Sequence, residues 1–189
     1  MIEISLLAAE LVFAAVWLLV RAIVWIRRGG VDLKREALLL LMFINLAVII
    51  RFVFFPMERV GGRVQPLVFD PAAAYPFRVN LVPLKNLLRF DTKRDLLLNL
   101  VGNSAMFVPT GIVLPIVYGR LRGFWKTVGA GALISLCIEL LQLPFAVRAS
   151  DADDLILNTL GVAVGYGIYA LVRGLIRRGR RGKRGGTER

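Results

Sequence analysis

Five apolar blocks decide what this chain can fold into: Ile4 to Ile26, Ala37 to Phe55, Leu96 to Tyr118, Phe124 to Val147 and Leu155 to Ile176. Each runs about 19 to 24 residues with few charges, long enough for a helix rising 1.5 Å per residue to cross roughly 30 Å of hydrocarbon. Continuous runs of this kind are not the alternating strands of a membrane barrel. Five of them in 189 residues also leave too little polar surface to cover them in water. A mean hydropathy of +0.68 beside 20% charged residues agrees, because the charges lie between the blocks. The expected architecture is all-α: a polytopic integral membrane bundle of five transmembrane helices, multi-pass in the cell membrane.

The connecting segments set the expected orientation. Arg27, Arg28, Lys34 and Arg35 place the first loop in the cytoplasm by the positive-inside rule, and Arg120, Arg122 and Lys126 do the same for the third. From Arg173 to Arg189 the tail holds eight basic residues against the single acid Glu188. This composition reads as a disordered segment lying against anionic lipid, and with no interleaved aromatic residues it is not a nucleic-acid arm. The N-terminus is then outside and the C-terminus cytoplasmic. One connection pulls the other way: Pro56 to Asp95 carries seven basic residues against four acidic ones, yet alternation puts it outside. It is long enough for its charges to count less. The first block lacks a basic n-region and is too long for a cleavable signal peptide, so it is expected to stay in the membrane. The expected organisation is a transmembrane hairpin over 1–56, a proline-rich extracytoplasmic loop over 57–95, three further helices, and a basic cytoplasmic tail over 173–189. Within the loop, a short amphipathic or re-entrant segment is expected near Leu81 to Leu88.

Absent residues exclude whole classes of chemistry. The chain has no histidine, which removes Ser-His-Asp hydrolysis, histidine proton shuttles and His-ligated zinc or haem. Its one cysteine, Cys137, lies within a block and forms no internal disulfide.

Polar residues inside the blocks carry the functional information, since an unpaired polar group in hydrocarbon is costly. Asn99 and Asn103 share one helical face, Glu139 and Gln142 lie three apart, and Asp151, Asp154 and Asn158 fall on one face where the fifth block begins. Measured from the block ends, Asn99 and Asn158 lie about 5 Å in, Gln142 about 8 Å, and Asn103 and Glu139 about 11 to 12 Å. Glu10 falls in the same half. Because successive helices run antiparallel, these groups converge on one surface whichever side is outside. Glu139 needs a raised pKa or a cation, with Arg148 or Arg78 as candidates. Asn45 has no partner that sequence names and reads as helix-to-helix glue, and Arg21 and Arg51 read as snorkelling near helix ends. Gly161 with Gly165, and Gly131 with Ser135, are expected to bring the fourth and fifth helices close together. Pro109 and Pro115 are expected to kink the third helix and open a cavity beside Asn103.

A longer pattern joins these positions. Asn80-Leu81-Val82-Pro83, Asn99 with Asn103, Phe107, Pro109 and Gly111, Glu139 with Gln142, and Arg148 to Asp154 running into Asn158 and Gly161 together resemble the VanZ-like family of bacterial membrane proteins. Leu84 departs from the family's usual Asn-Leu-x-Pro-Phe. The resemblance covers about 80–172 and leaves the first two blocks and the tail without a family signal. It implies a role in low-level resistance to lipidated glycopeptides of the teicoplanin type, and it adds Asn80 to the candidate site. No established catalytic activity comes with it.

Two functions of different classes fit these residues. In the first, Asn80, Asn99, Asn103, Glu139, Gln142, Arg148, Asp151, Asp154 and Asn158 line a cup open to the outer leaflet. That cup binds the polar head of a lipid-linked cell-wall component or a lipoglycopeptide without a cofactor, since amides both donate and accept. In the second, the protein is an enzyme on such a lipid: Asp151, Asp153 and Asp154 hold a divalent cation, or Glu139 serves as general acid beside an ionised Asp154. Aspartates preceding a helix are also ordinary capping and dipole partners. A transporter is least supported, because no hydrophilic path crosses the cytoplasmic half.

Overall fold

The computed structural model describes residues 2–55, 59–70, 72, 79–80, 92–145 and 150–185, with the backbone alone at 59, 79, 95, 150, 151 and 180–185. Five helices dominate it: α1 (Leu6–Arg28), α2 (Leu33–Ile49), α3 (Lys93–Val117), α4 (Phe124–Gln142) and α5 (Ala152–Gly185). All five are long and apolar enough to cross a membrane. Leucines and valines such as Leu11, Leu18, Val101, Leu133 and Leu171 stand exposed around them. So extensive an apolar girdle is untenable in water and suits hydrocarbon.

Local chemistry sets the helix ends. The Ser5 hydroxyl accepts from the Ala8 N–H at 3.2 Å and caps α1, while Gly29 closes it in the left-handed conformation at φ 68°. Asp32 caps α2 by accepting from the N–H groups of Lys34 and Arg35. At its far end α2 widens into a π-helical turn over Ile50–Phe54. The fourth apolar block continues to Val147, yet α4 stops at Gln142: Leu143 still has helical backbone angles, and the proline at 144 has no N–H with which to extend the ladder. The tail departs from the expected disorder: α5 runs on through the basic stretch to Gly185, since arginine and lysine are good helix formers and the template of the preceding turns is already built.

Three small two-stranded sheets were not foreseen. β1 (Ile2–Ile4) pairs antiparallel with β4 (Leu67–Phe69), tying the segment before α1 to the long connection. β2 (Arg59–Val60) and β3 (Arg63–Val64) form a hairpin over Gly61-Gly62, both at positive φ, as a tight primed turn needs. β5 (Val79–Asn80) pairs parallel with β6 (Ser150–Asp151), immediately before α5. The Leu81 to Leu88 segment lies outside the described residues.

The closest helix pair is α3 with α5. A Cβ on Gly161 would lie 2.0 Å from the Ser104 carbonyl oxygen, one on Gly165 2.1 Å from that of Val108, and one on Gly111 2.1 Å from that of Val162. The two backbones touch, and only glycine fits there. Helices α4 and α5 do approach closely, but the expected role of Gly161 and Gly165 in that contact is corrected: the pair faces α3. Gly131 and Ser135 do face α5, through the Val162 side chain and Asn158.

Helix α2 docks on α3 through Asn45, which is more specific than general glue. Its amide donates to the Met106 carbonyl at 2.8 Å and its oxygen accepts from the Thr110 hydroxyl at 2.7 Å. The bond falls in the turn where Pro109 lacks an N–H for the carbonyl of Ala105. α3 runs unbroken through both prolines. Helix α1 packs mainly on α2, with the Phe13 ring stacked on Phe43 at 5.0 Å and Trp17 tilted against it at 5.5 Å. Arg21 does not snorkel. It is 8% exposed and makes a two-pronged pair with Glu36 of α2, its Nε lying 2.9 Å from Oε2. Seven residues short of the end of α1, two turns in, it finds a carboxylate closer than water. Arg51 does sit at a helix end, where it donates to the Phe55 carbonyl at 3.4 Å.

Candidate functional site

On α4, Ser135, Glu139 and Gln142 follow one another at helical spacing and are all buried. On α5, Asp153 and Asp154 occupy the first turn, where a carboxylate is favoured by the helix dipole, and Asn158 lies one turn further on. On α3, Asn99 and Asn103 stand one turn apart. The three faces meet. The Asn103 amide donates to Asp154 Oδ1 at 2.6 Å, joining α3 to α5. The Asn158 amide donates to the Ser135 hydroxyl at 2.9 Å, joining α5 to α4. The Gln142 amide donates to the Val53 carbonyl at 3.1 Å, joining α4 to the π-helical end of α2. Glu139, 3% exposed, lies one turn beyond Ser135 in the same layer, and Asp153 is as deeply buried.

Two of the expected residues behave differently. Asn99 is half-buried, and no hydrogen bond of its side chain is found among the described residues. Asn103 bonds to the opening turn of α5, so it lies nearer the rim than its distance along the apolar block implied. Block ends are poor rulers, because α3 begins before its block does and α4 ends before its own. Asn80 and Asp151 are brought side by side as register partners in β5 and β6. Arg148 and Arg78, the nominated partners of Glu139, lie outside the described residues. Glu10 sits half-buried on α1.

The described part of the layer is packed rather than an open cup. Its notable chemistry is on the acceptor side: Gln142 Oε1 and Asn158 Oδ1 are buried with no hydrogen-bond donor among the described residues. A buried acceptor in hydrocarbon without a donor is unfavourable by about 1–3 kcal/mol, so each atom invites an O–H or N–H. No three carboxylate or thiol groups converge among the described residues as a metal site would need. Asp154 accepts from Asn103, Asp153 is buried, and the side chain of Asp151 is not described.

Sequence reasoning missed Ser135 and Thr110 as hydrogen-bond partners. The signal for Ser135 was available, since it precedes Glu139 by one turn on the same face. Nothing in the sequence marks the Val53 carbonyl, which is exposed to a donor only because the helix ends there.

Beside this layer, a large apolar cavity of about 920 Å³ opens between α1, α2 and α4, roofed by β4. Helix α4 separates the two: Cys137 and Leu141 face the cavity, while Glu139 and Gln142 turn into the polar layer.

The family model described as VanZ/LLP1 matches residues 40–173. A curated relative, Protein VanZ of Enterococcus faecium, is 32% identical over 72 residues, which cover 38% of this chain and 44% of that protein. The alignment thus spans less than half the length of that relative. No solved structure matches the chain. The family match starts within α2, so it takes in Asn45 and the Val53 carbonyl, which the motif pattern had left outside. It runs through each helix that contributes to the polar layer, and this five-helix membrane protein belongs to the VanZ/LLP1 family.

Proposed function

We propose that the protein binds the polar head of a lipid-linked cell-envelope component or a lipoglycopeptide in the outer leaflet of the bacterial cell membrane, and so contributes to resistance against teicoplanin-type antibiotics. The observation that carries this reading is the pair of buried acceptors, Gln142 Oε1 and Asn158 Oδ1, in one layer with Glu139 and the Asn103 to Asp154 bond. Sugar hydroxyls and peptide N–H groups are the donors such acceptors take, and a carboxylate nearby strengthens binding of either. The charge distribution along the loops supports an outward-facing layer.

The test is genetic and chemical together. A strain carrying Asn103→Ala or Asn158→Leu in place of the native protein should become more susceptible to teicoplanin, approaching a strain with the gene deleted, while its susceptibility to a non-acylated glycopeptide changes little. Unchanged teicoplanin susceptibility and unchanged envelope lipids in the deletion strain would refute the reading.

A further inference from the structure

We propose that the apolar cavity between α1, α2 and α4 holds the hydrocarbon chain of the same amphiphile whose polar head the buried layer recognises. The inference rests on the binding reading above and adds a second, separate contact to it. At about 920 Å³ the cavity is at the upper end of the roughly 300–1,000 Å³ typical of ligand sites. Ala9, Phe13, Ile50, Leu67, Cys137 and Leu141 are among its walls, and among the described residues no charged or amide side chain lines it. Water has no partner there, so an apolar occupant is the stable one.

Its dimensions fit one chain in one leaflet. Along α4 it extends from Leu133 to Leu141, about 12 Å at 1.5 Å per residue, against roughly 15 Å for half of a 30 Å hydrocarbon core. The rim is covered: β4 is held over it by pairing with β1, and the Phe69 ring packs on Phe145 at 5.7 Å. A chain therefore enters sideways from the leaflet, between helices, rather than from water. Helix α1 makes this feasible, because it is the helix least embedded in the bundle, with 6% of its apolar window buried.

The geometry also links chain to head. Cavity and polar layer lie on adjoining faces of one helix, so an amphiphile whose head lies on the layer brings its first methylenes to the Phe55 and Pro144 end of the cavity, both of which line it. Lipid tails are as apolar as these walls, so the cavity gains little from hydrophobicity alone and acts through close packing of an ordered chain. The expected contribution is accordingly modest, about tenfold in affinity, or about 1.4 kcal/mol.

The experiment measures binding of teicoplanin and of the same glycopeptide stripped of its acyl chain to the full-length protein in lipid nanodiscs. The native protein should prefer the acylated form by about tenfold beyond empty nanodiscs. Cys137→Trp and Ala9→Phe, which fill the cavity from opposite walls, should abolish that preference and leave binding of the deacylated form intact. Leu136→Trp, on an exposed face that does not line the cavity, should keep it. Thermal stability of each variant separates filling from misfolding, and two independent fillers guard against the loss of either. Equal preference in all four proteins means bulk membrane partition and overturns the proposal while sparing the head site. Failure of both glycopeptides to bind the native protein overturns the lipoglycopeptide as the ligand of the head site, and the chain site with it.

Discussion

An asparagine surrounded by hydrocarbon needs both halves of its amide occupied, and Asn45 meets that need by reaching α3 at Met106 and Thr110. Replacing it with alanine strands a buried hydroxyl and a carbonyl, so Asn45→Ala should lower stability by about 1–2 kcal/mol, read as a lower midpoint of thermal unfolding in detergent. Thr110→Val should cost less, because the Asn45 amide keeps its bond to Met106. Asn103 and Asn158 each donate across to another helix, to Asp154 and Ser135, and Asn158→Leu should be nearly neutral for stability, since removing a buried acceptor that lacks a donor offsets the lost bond to the Ser135 hydroxyl. A residue that weakens binding without weakening the fold is the mark of a recognition site. The sequence marked these asparagines because polar atoms inside an apolar run stand out, but it did not mark their partners. Serine 135, threonine 110 and the Val53 carbonyl are ordinary in a sequence, and become specific only when a second helix is laid against them.

Between elements, backbone contact is the strongest constraint. Gly161→Ala or Gly165→Ala would drive a methyl group into a carbonyl of α3 and force the helices apart, an overpacking penalty of about 1–3 kcal/mol. Gly167→Ala, two residues along the same helix with open space beside it, should be neutral or slightly stabilising. A thermal-shift comparison of these variants separates the contact from helix propensity. The Gly-x-x-x-Gly spacing was legible beforehand, but the partner it faces was not: spacing tells which face is small and cannot tell which neighbour uses it. The Arg21 and Glu36 pair teaches the same lesson. Arg21 looked like a helix-end residue, and the α1–α2 hairpin makes it one unit with Glu36. Arg21→Leu alone should destabilise by about 1–3 kcal/mol, discounted for the partial exposure of Glu36, while Arg21→Leu with Glu36→Leu should recover much of that loss.

For the molecule as a whole, five spans were readable from hydropathy because the bilayer demands a length that nothing else in a chain of this size supplies. The minor strands were not, since two- and three-residue pairings leave no periodicity to detect. The proposed orientation rests on loop charge and has a direct check. With Cys137 replaced by alanine, a membrane-impermeant maleimide applied to intact cells should label Val60→Cys in the β2–β3 hairpin and spare Val31→Cys between α1 and α2; both positions are exposed, so access alone decides the result. Labelling of Val31→Cys instead would invert the molecule and put the polar layer on the cytoplasmic side.

In the proposed function, the buried polar layer of α3, α4 and α5 recognises the head of a lipid-linked molecule. Native mass spectrometry of the full-length protein, gently purified from its membrane, tests this most directly. One tightly retained amphiphile per chain carrying sugar or peptide groups is expected, lost in Asn103→Ala and Asn158→Leu at unchanged fold. A bare protein, or one carrying the same ordinary phospholipids as both variants, would contradict it.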